Sequence, residues 1–254
     1  IHQSSSFCAF IDGSSIGPMI NGEKSGKIIA EAINDALASA PQNGDMEVVT
    51  RHINEVVREV FNFHSSHDVN EAGRRPAASV IILSKDRKEI WCYGDTMLQI
   101  NGEDIDLTKK IDDVTTLARC AAVRALLTQG RSQEDLLRTS EDLQFVQMLL
   151  DTQQQSFMNN AQDEVYGYAN IDGSDDVISL VRKVPVKEGD IVIMASDGYP
   201  KIFSTLAETE AYLKKVIQED PLMAFTHPSI KGVGYTEGKQ NRSFDDRAYV
   251  RVMV

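Results

Sequence analysis

Asp190–Tyr199 reads DIVIMASDGY. Ile191, Val192, Ile193 and Met194 form an apolar run between the turn signal Glu188-Gly189 and Ser196-Asp197-Gly198. A run this short reads as a strand buried on both faces. It delivers the Asp197 carboxylate at its C-terminal tip, with Gly198 behind it to let the backbone turn. Phe7–Gly13, FCAFIDG, has the same form and ends on Asp12 and Gly13. Near the C-terminus the acidic pair Asp245-Asp246 precedes RAYVRVMV. Three apolar strands from three parts of the chain therefore each carry an aspartate at one end.

Between these strands the chain alternates helix pairs with strand groups. Ile29, Ala32, Ile33, Ala36, Leu37 and Ala40 form an apolar stripe that predicts a helix over 23–40, and Pro41–Gly44 breaks it. Asp45 is placed to cap a second helix with the stripe Met46, Val49, Ile53, Val56, Val57 and Val60. After the polar stretch 64–76, strands are expected at 78–84, 88–93 and 97–100, the last ending on the hairpin signal Asn101-Gly102. A helix over 111–128 presents Val114, Leu117, Ala118, Ala121, Ala122 and Ala125 on one face, and a long helix runs from Ser132 to about Phe157. Strands at 166–171, 177–184 and 191–195 follow, then a helix capped by Ser204 or Thr205 and stopped by Pro221, a Gly-rich loop over 228–241, and a closing strand. With no repeat and no linker, the pattern is α+β in a single domain over 1–254.

The 254 residues are 42% hydrophobic, ample for a core, and carry a formal net charge of −12. That charge, with no Lys/Arg cluster to offset it, argues against nucleic acid or an anionic membrane as partner. Cys8, Cys92 and Cys120 lie in or beside apolar segments without metal-ligand spacing, and read as core residues of a reducing compartment, here the cytoplasm. No apolar run approaches the ~18–20 residues that span a bilayer, and no signal peptide is visible.

Hard divalent cations such as Mg²⁺ and Mn²⁺ take carboxylate oxygens and water, and aspartates at strand tips suit them. Singly, an Asp-Gly pair after a strand is a common turn signal, and Asp172-Gly173 and Gly94-Asp95 read equally well as turns. The ordered set FCAFIDG, ASVIILSKDRKEIWCYGDT, GDIVIMASDG and FDDRAYVRV is more specific. It resembles the metal-dependent protein phosphatases of type 2C (the PPM family), over roughly 7–102 and 166–254, with 103–165 as a helical insertion.

The resemblance implies a four-layer α-β-β-α sandwich: two antiparallel sheets flanked by helix pairs. It implies a Mg²⁺- or Mn²⁺-dependent phosphatase acting on phosphoserine or phosphothreonine of a protein substrate. Asp12 would bridge two ions, with the carbonyl of Gly13 on the second. Asp197 and Asp245 would hold the first, Asp95 with Asp197 a weaker third, and Asp246 would stand behind the ligands. Asp12, Asp197 and Asp245 would be the catalytic set, holding a water of lowered pKa for in-line attack on phosphorus.

The sequence departs from the family pattern in two places. Ser14 stands where a histidine commonly serves as general acid. Residues 1–11 contain no Arg and no acidic residue, so the family's phosphate-binding Arg and acidic pair are not in the expected place. Arg74 and Arg75 are alternative phosphate binders, although solvated loop charge is the plainer reading of that pair. His64, His67 and Asp68 could form a transition-metal site or lie near a helix end, and Lys109-Lys110 reads as a solvated face. Two other functions are open to such a chain. One is a catalytically silent type-2C-like protein acting as a regulatory binding module. The other is a haloacid-dehalogenase-type aspartate hydrolase, which would need Asp-x-Asp where this chain has Asp12-Gly13-Ser14.

Overall fold

The computed structural model describes residues 1–14, 17, 19–61, 75–236, 239–241 and 243–254. The chain opens with β1 (His2–Gln3), β2 (Phe7–Gly13), and the short hairpin β3 (Met19–Ile20) and β4 (Glu23–Lys24). Helices α1 (Ser25–Ser39) and α2 (Met46–Phe61) follow. Four strands come next: β5 (Ala78–Ser84), β6 (Glu89–Tyr93), β7 (Met97–Ile100) and β8 (Glu103–Ile105). Then come α3 (Lys110–Thr128), α4 (Gln133–Thr139), a 3₁₀ segment at Glu141–Phe145 and α5 (Gln147–Ser156). A second 3₁₀ segment, Asp175–Leu180, leads into β9 (Arg182–Pro185) and β10 (Ile191–Ala195). The chain ends with α6 (Leu206–Glu219), β11 (Tyr235–Thr236), β12 (Lys239–Gln240) and β13 (Tyr249–Met253). The fold is mixed α+β, with antiparallel sheets and helices.

The caps follow local side-chain chemistry. Val48 N–H donates to Asp45 at 2.9 Å at the start of α2, Asp135 N–H to Ser132 at 3.1 Å at α4, and Glu208 N–H to Thr205 at 3.3 Å at α6. Each bond satisfies an amide the helix leaves without an intrahelical acceptor. Three expectations fail. The long helix from Ser132 is broken at Ser140, which sits in the left-handed region at φ 50° and separates α4 from the 3₁₀ turn. The strand expected at 177–184 begins as the 3₁₀ segment because Ser174 accepts from Asp176 N–H and caps it. At 166–171 the chain makes only isolated bridges, Tyr168 with Met158 and Ile171 with Ala78.

The chain divides into two compact units, the first comprising Ile1–Thr108, Gln154–Met194 and Val250–Val254. Its five-stranded sheet has the order β1-β2-β5-β6-β9, antiparallel at every pairing. Phe7, Ala9, Ala78, Val80, Ile82, Trp91 and Tyr93 share a face and pack with the stripes of α1 and α2, among them Ile29, Ile33, Val49 and Ile53. Each such aliphatic side chain contributes about 1.5–3 kcal/mol on full burial. The opposite face, with Cys8, Phe10, Ile81, Leu83 and Cys92, is buried too, which is why ASVIILS is a continuous apolar run and not an alternating one. Tyr93 OH and Thr50 Oγ1 lie 2.6 Å apart and tie the sheet to α2. A four-stranded sheet has the order β13-β10-β7-β8. The Asn101-Gly102 turn joins β7 to β8 with both residues at positive φ, as the hairpin signal predicts.

The second unit comprises Lys109–Gln153 and Ala195–Tyr249. Here α3 buries Ile111, Thr115, Arg119, Cys120, Ala122, Val123 and Leu126. The expected stripe is therefore largely wrong: Val114 is exposed, and Leu117 is 66% exposed. Counting apolar residues passed over Arg119, 1% exposed, at the centre of the true buried face. Its Nε donates to Asp142 at 2.5 Å, Nη1 to the carbonyls of Met223 and Ser229 at 3.1 and 2.7 Å, and Nη2 to that of Leu222 at 2.7 Å. A buried guanidinium is tolerable only with its donors satisfied in this way. Among the described residues all three cysteines are free and buried, and no helix is long and apolar enough to cross a membrane.

Candidate active site

In the first unit, β2 and β5 pair in a register that sets Asp12 directly opposite Ser79. Residues opposite each other in an antiparallel pair project from the same face. Ser79 is thus beside Asp12, and its hydroxyl donates to Asp95 Oδ1 at 2.9 Å. The Asn170 amide oxygen lies 3.2 Å from the same hydroxyl. That hydroxyl carries one proton, and the shorter, charge-assisted contact to Asp95 takes it. Two of the expected ligands, Asp12 and Asp95, therefore flank one serine. Sequence reasoning did not single out Ser79, because a serine in an apolar strand has no signature of its own.

Behind Asn170 the polar contacts continue inward. Asn170 N–H donates to Asn159 Oδ1 at 2.9 Å, and Asn159 Nδ2 donates to Asp172 Oδ1 at 2.9 Å. Asp172, expected to be a turn residue, is 2% exposed. Burial pushes its carboxyl above the usual range, opposed chiefly by Arg75. Arg75 Nη2 donates to the Asp172 carbonyl at 3.1 Å, its Nε lies 3.5 Å from the carboxylate, and Gln154 brackets its backbone on both sides. Arg75 is therefore neither a solvated loop charge nor open to solvent as a phosphate binder. Arg74, His64, His67 and Asp68 lie outside the described residues, as do Ser15 and Ile16. Lys109 is also not solvated: its ammonium lies 3.8 Å from Asp112, with both side chains largely buried.

In the second unit, Asp197 is exposed, two residues beyond Ala195, the last residue of β10. Ser196 N–H donates to the Ala248 carbonyl at 3.2 Å, Ser196 Oγ accepts from Ala248 N–H at 3.1 Å, and the same hydroxyl donates to the Asp246 carbonyl at 3.3 Å. These bonds fasten the segment carrying Asp245 and Asp246 alongside the end that carries Asp197. Gly198 lies in the expected turn, in which Tyr199 N–H donates to the Ser196 carbonyl at 3.4 Å, and it has a further role. Its φ is not positive, and a Cβ there would lie 2.2 Å from the Asp246 carbonyl oxygen. Gly13 is alike, with Gly26 O 1.9 Å from its notional Cβ. Both glycines permit close backbone approach. Asp246 N–H donates to Asp245 Oδ1 at 2.9 Å, and Lys231 forms an ion pair with Asp245 Oδ2. Burial pushes the Asp245 carboxyl up, and the Lys231 ammonium works against it.

Each unit by itself offers oxygen donors of the type that hard divalent cations take: in the first, Asp95 accepts from Ser79, which stands opposite Asp12; in the second, Asp197 and Asp245 lie on segments fastened by Ser196, with the Lys231 ammonium paired to Asp245. Among the described residues, no three His, Cys, Asp or Glu are grouped closely enough to hold a metal ion.

Comparison with solved structures gives a consistent set of neighbours. In structure the chain is similar to PP2C-type serine/threonine phosphatases. One is the catalytic domain of the phosphatase PstP in complex with two manganese ions, at 13% identity and TM-score 0.40, covering 84% of this chain and 76% of that one. Another is the Mycobacterium tuberculosis phosphatase PstP/Ppp, at 14% identity and TM-score 0.39, covering 85% and 77%. The PP2C domain of SiaA from Pseudomonas aeruginosa matches at 11% identity and TM-score 0.40, covering 91% and 74%. No protein-family model and no curated protein sequence matches the chain.

Proposed function

We propose that this chain is a single type-2C-like domain and a Mg²⁺- or Mn²⁺-dependent phosphatase acting on phosphoserine or phosphothreonine of a protein substrate. Asp12, Asp197 and Asp245 are the catalytic carboxylates; with Asp95 and the Gly13 carbonyl they would hold two ions and a weaker third. When bound, the ions supply a water of lowered pKa as nucleophile and charge to stabilise phosphorus-bound oxygens. The chain's own part is to hold the oxygens in place. Ser79 orients Asp95 by a charge-assisted bond beside Asp12, and Ser196 fastens the Asp245 segment beside Asp197. Ser14, a poor acid near neutral pH, leaves protonation of the departing alkoxide to water.

The observation that supports this reading is that Ser79, whose hydroxyl donates to Asp95, stands at the register position directly opposite Asp12. The test is hydrolysis of p-nitrophenyl phosphate, expected to be stimulated by Mn²⁺ and abolished by EDTA. If Asp197→Asn retained full activity, the site assignment would be wrong.

A second reading, a silent type-2C-like binding module, is favoured by Ser14 and by the lysine already paired with Asp245. Calorimetric titration separates the two: a silent module takes up no Mn²⁺, or takes it up without turnover.

A further inference from the structure

We propose that Lys231 is a built-in competitor for metal at Asp245, its ammonium taking the carboxylate oxygen that a cation would use. This rests on the metal-dependent reading above and adds a residue with no part in it.

The placement of Lys231 is fixed from both sides. Two residues before it, the Ser229 carbonyl accepts from the buried Arg119 at 2.7 Å and Ser229 N–H donates to the Met223 carbonyl at 3.0 Å. Two residues after it, Val233 N–H donates to the Pro221 carbonyl at 2.8 Å. Val233 is fully buried, and Gly232 lies against the Arg119 guanidinium, 3.1 Å from its notional Cβ to Nη2. The loop is thus anchored on the interior of its own unit, and Lys231 is held out from it at Asp245.

The Lys231 side chain is 36% exposed and that of Asp245 20%. An ion pair at that boundary can open toward water without stranding a fully buried charge, unlike Arg119–Asp142, which cannot open without leaving a carboxylate inside. Lys231 is therefore displaceable. A cation reaching Asp245 must first free the carboxylate and then tolerate the ammonium nearby, so the measured affinity is reduced by the fraction of molecules in which the pair is closed. A half-exposed pair lowers affinity about two- to tenfold.

The experiment is calorimetric titration of Mn²⁺ into the wild-type chain, Lys231→Met and Lys231→Arg, with the Mn²⁺-induced rise in melting temperature as second readout. Lys231→Met should bind about two- to tenfold tighter and show the larger melting shift at subsaturating Mn²⁺, while Lys231→Arg, which keeps the charge and the fold, should match wild type. Equal or weaker binding by Lys231→Met overturns the inference and leaves the metal-dependent reading standing. Absence of Mn²⁺ uptake by all three overturns both.

Discussion

The Ser79 hydroxyl lies 2.9 Å from Asp95 Oδ1 while its strand register sets it directly opposite Asp12. One small side chain therefore binds Asp95 at a position opposite Asp12. Ser79→Ala would remove the bond to the Asp95 carboxylate and the hydroxyl beside Asn170. Removing such an outer hydrogen-bond partner lowers metal affinity or metal-dependent activity by about 10–100-fold. The measurement is the Mn²⁺ concentration for half-maximal hydrolysis, compared with the melting temperature. A loss of stability with no change in Mn²⁺ requirement would mean that Ser79 serves packing alone.

Asp220 organises the turn after α6 by accepting N–H bonds from Ala224, Phe225 and Thr226 at 2.7–3.3 Å, with His227 at 3.4 Å. Burial works against its charge, but these bonds together hold the carboxyl below the usual range. A depressed folded pKa means stability that is present above the unfolded value near 4 and lost as pH falls through the folded value. Asp220→Asn should destabilise by about 1–3 kcal/mol at pH 7. The gap from wild type should narrow as a urea series descends below about pH 4; a constant gap would contradict the assignment.

Arg119 and Asp142 form a buried pair with three backbone carbonyls on the same guanidinium. Arg119→Met leaves a carboxylate inside without its counter-charge and should cost about 3–5 kcal/mol. Arg119→Met with Asp142→Leu should recover part of that loss, though not the carbonyl bonds that hold Leu222, Met223 and Ser229. Chemical denaturation of the two variants checks the order.

The two faces of α3 give a sharper packing test. Leu126 is buried and Leu117 is 66% exposed. Leu126→Ala should cost about 2–5 kcal/mol, whereas Leu117→Ala should stay within about 0.5 kcal/mol of wild type. Comparable losses would restore the alanine-rich stripe that periodicity alone suggests.

How much could be read from residues alone differs from element to element, for physical reasons. α1, α2, β5, β10 and α6 follow from local rules, since apolar spacing and capping side chains act within a few residues of one another. The same holds for Asp12 and Asp197, each marked by an apolar run that leads to a carboxylate, whereas Asp245 lies four residues before β13 and not at its first residue as expected. The 3₁₀ segment at Asp175–Leu180 and the break at Ser140 were missed because Ser174, Asp176 and Ser140 look alike in turns, caps and helix ends. Arg119 was missed because a charge is buried only when distant acceptors satisfy it, and those acceptors come from residues 142, 222, 223 and 229.

The strand-end aspartates of the DIVIMASDGY pattern were thus decided by local hydrophobicity and chain direction, which any one segment carries within itself. What holds each of them was not. Ser79 on β5 reaches Asp95, just past β6, through the pairing of those two strands, Ser196 donates to the carbonyl of Asp246, 50 residues later, and Lys231 pairs with Asp245, 14 residues later. Gly13 and Gly198 are required by backbones packed against them, and at Gly198 this adds to the turn that follows Asp197. Hydrogen bonds and close approaches between segments distant in sequence leave no periodic trace, because the residues that make them are ordinary serines, glycines and lysines until tertiary packing brings their partners within reach.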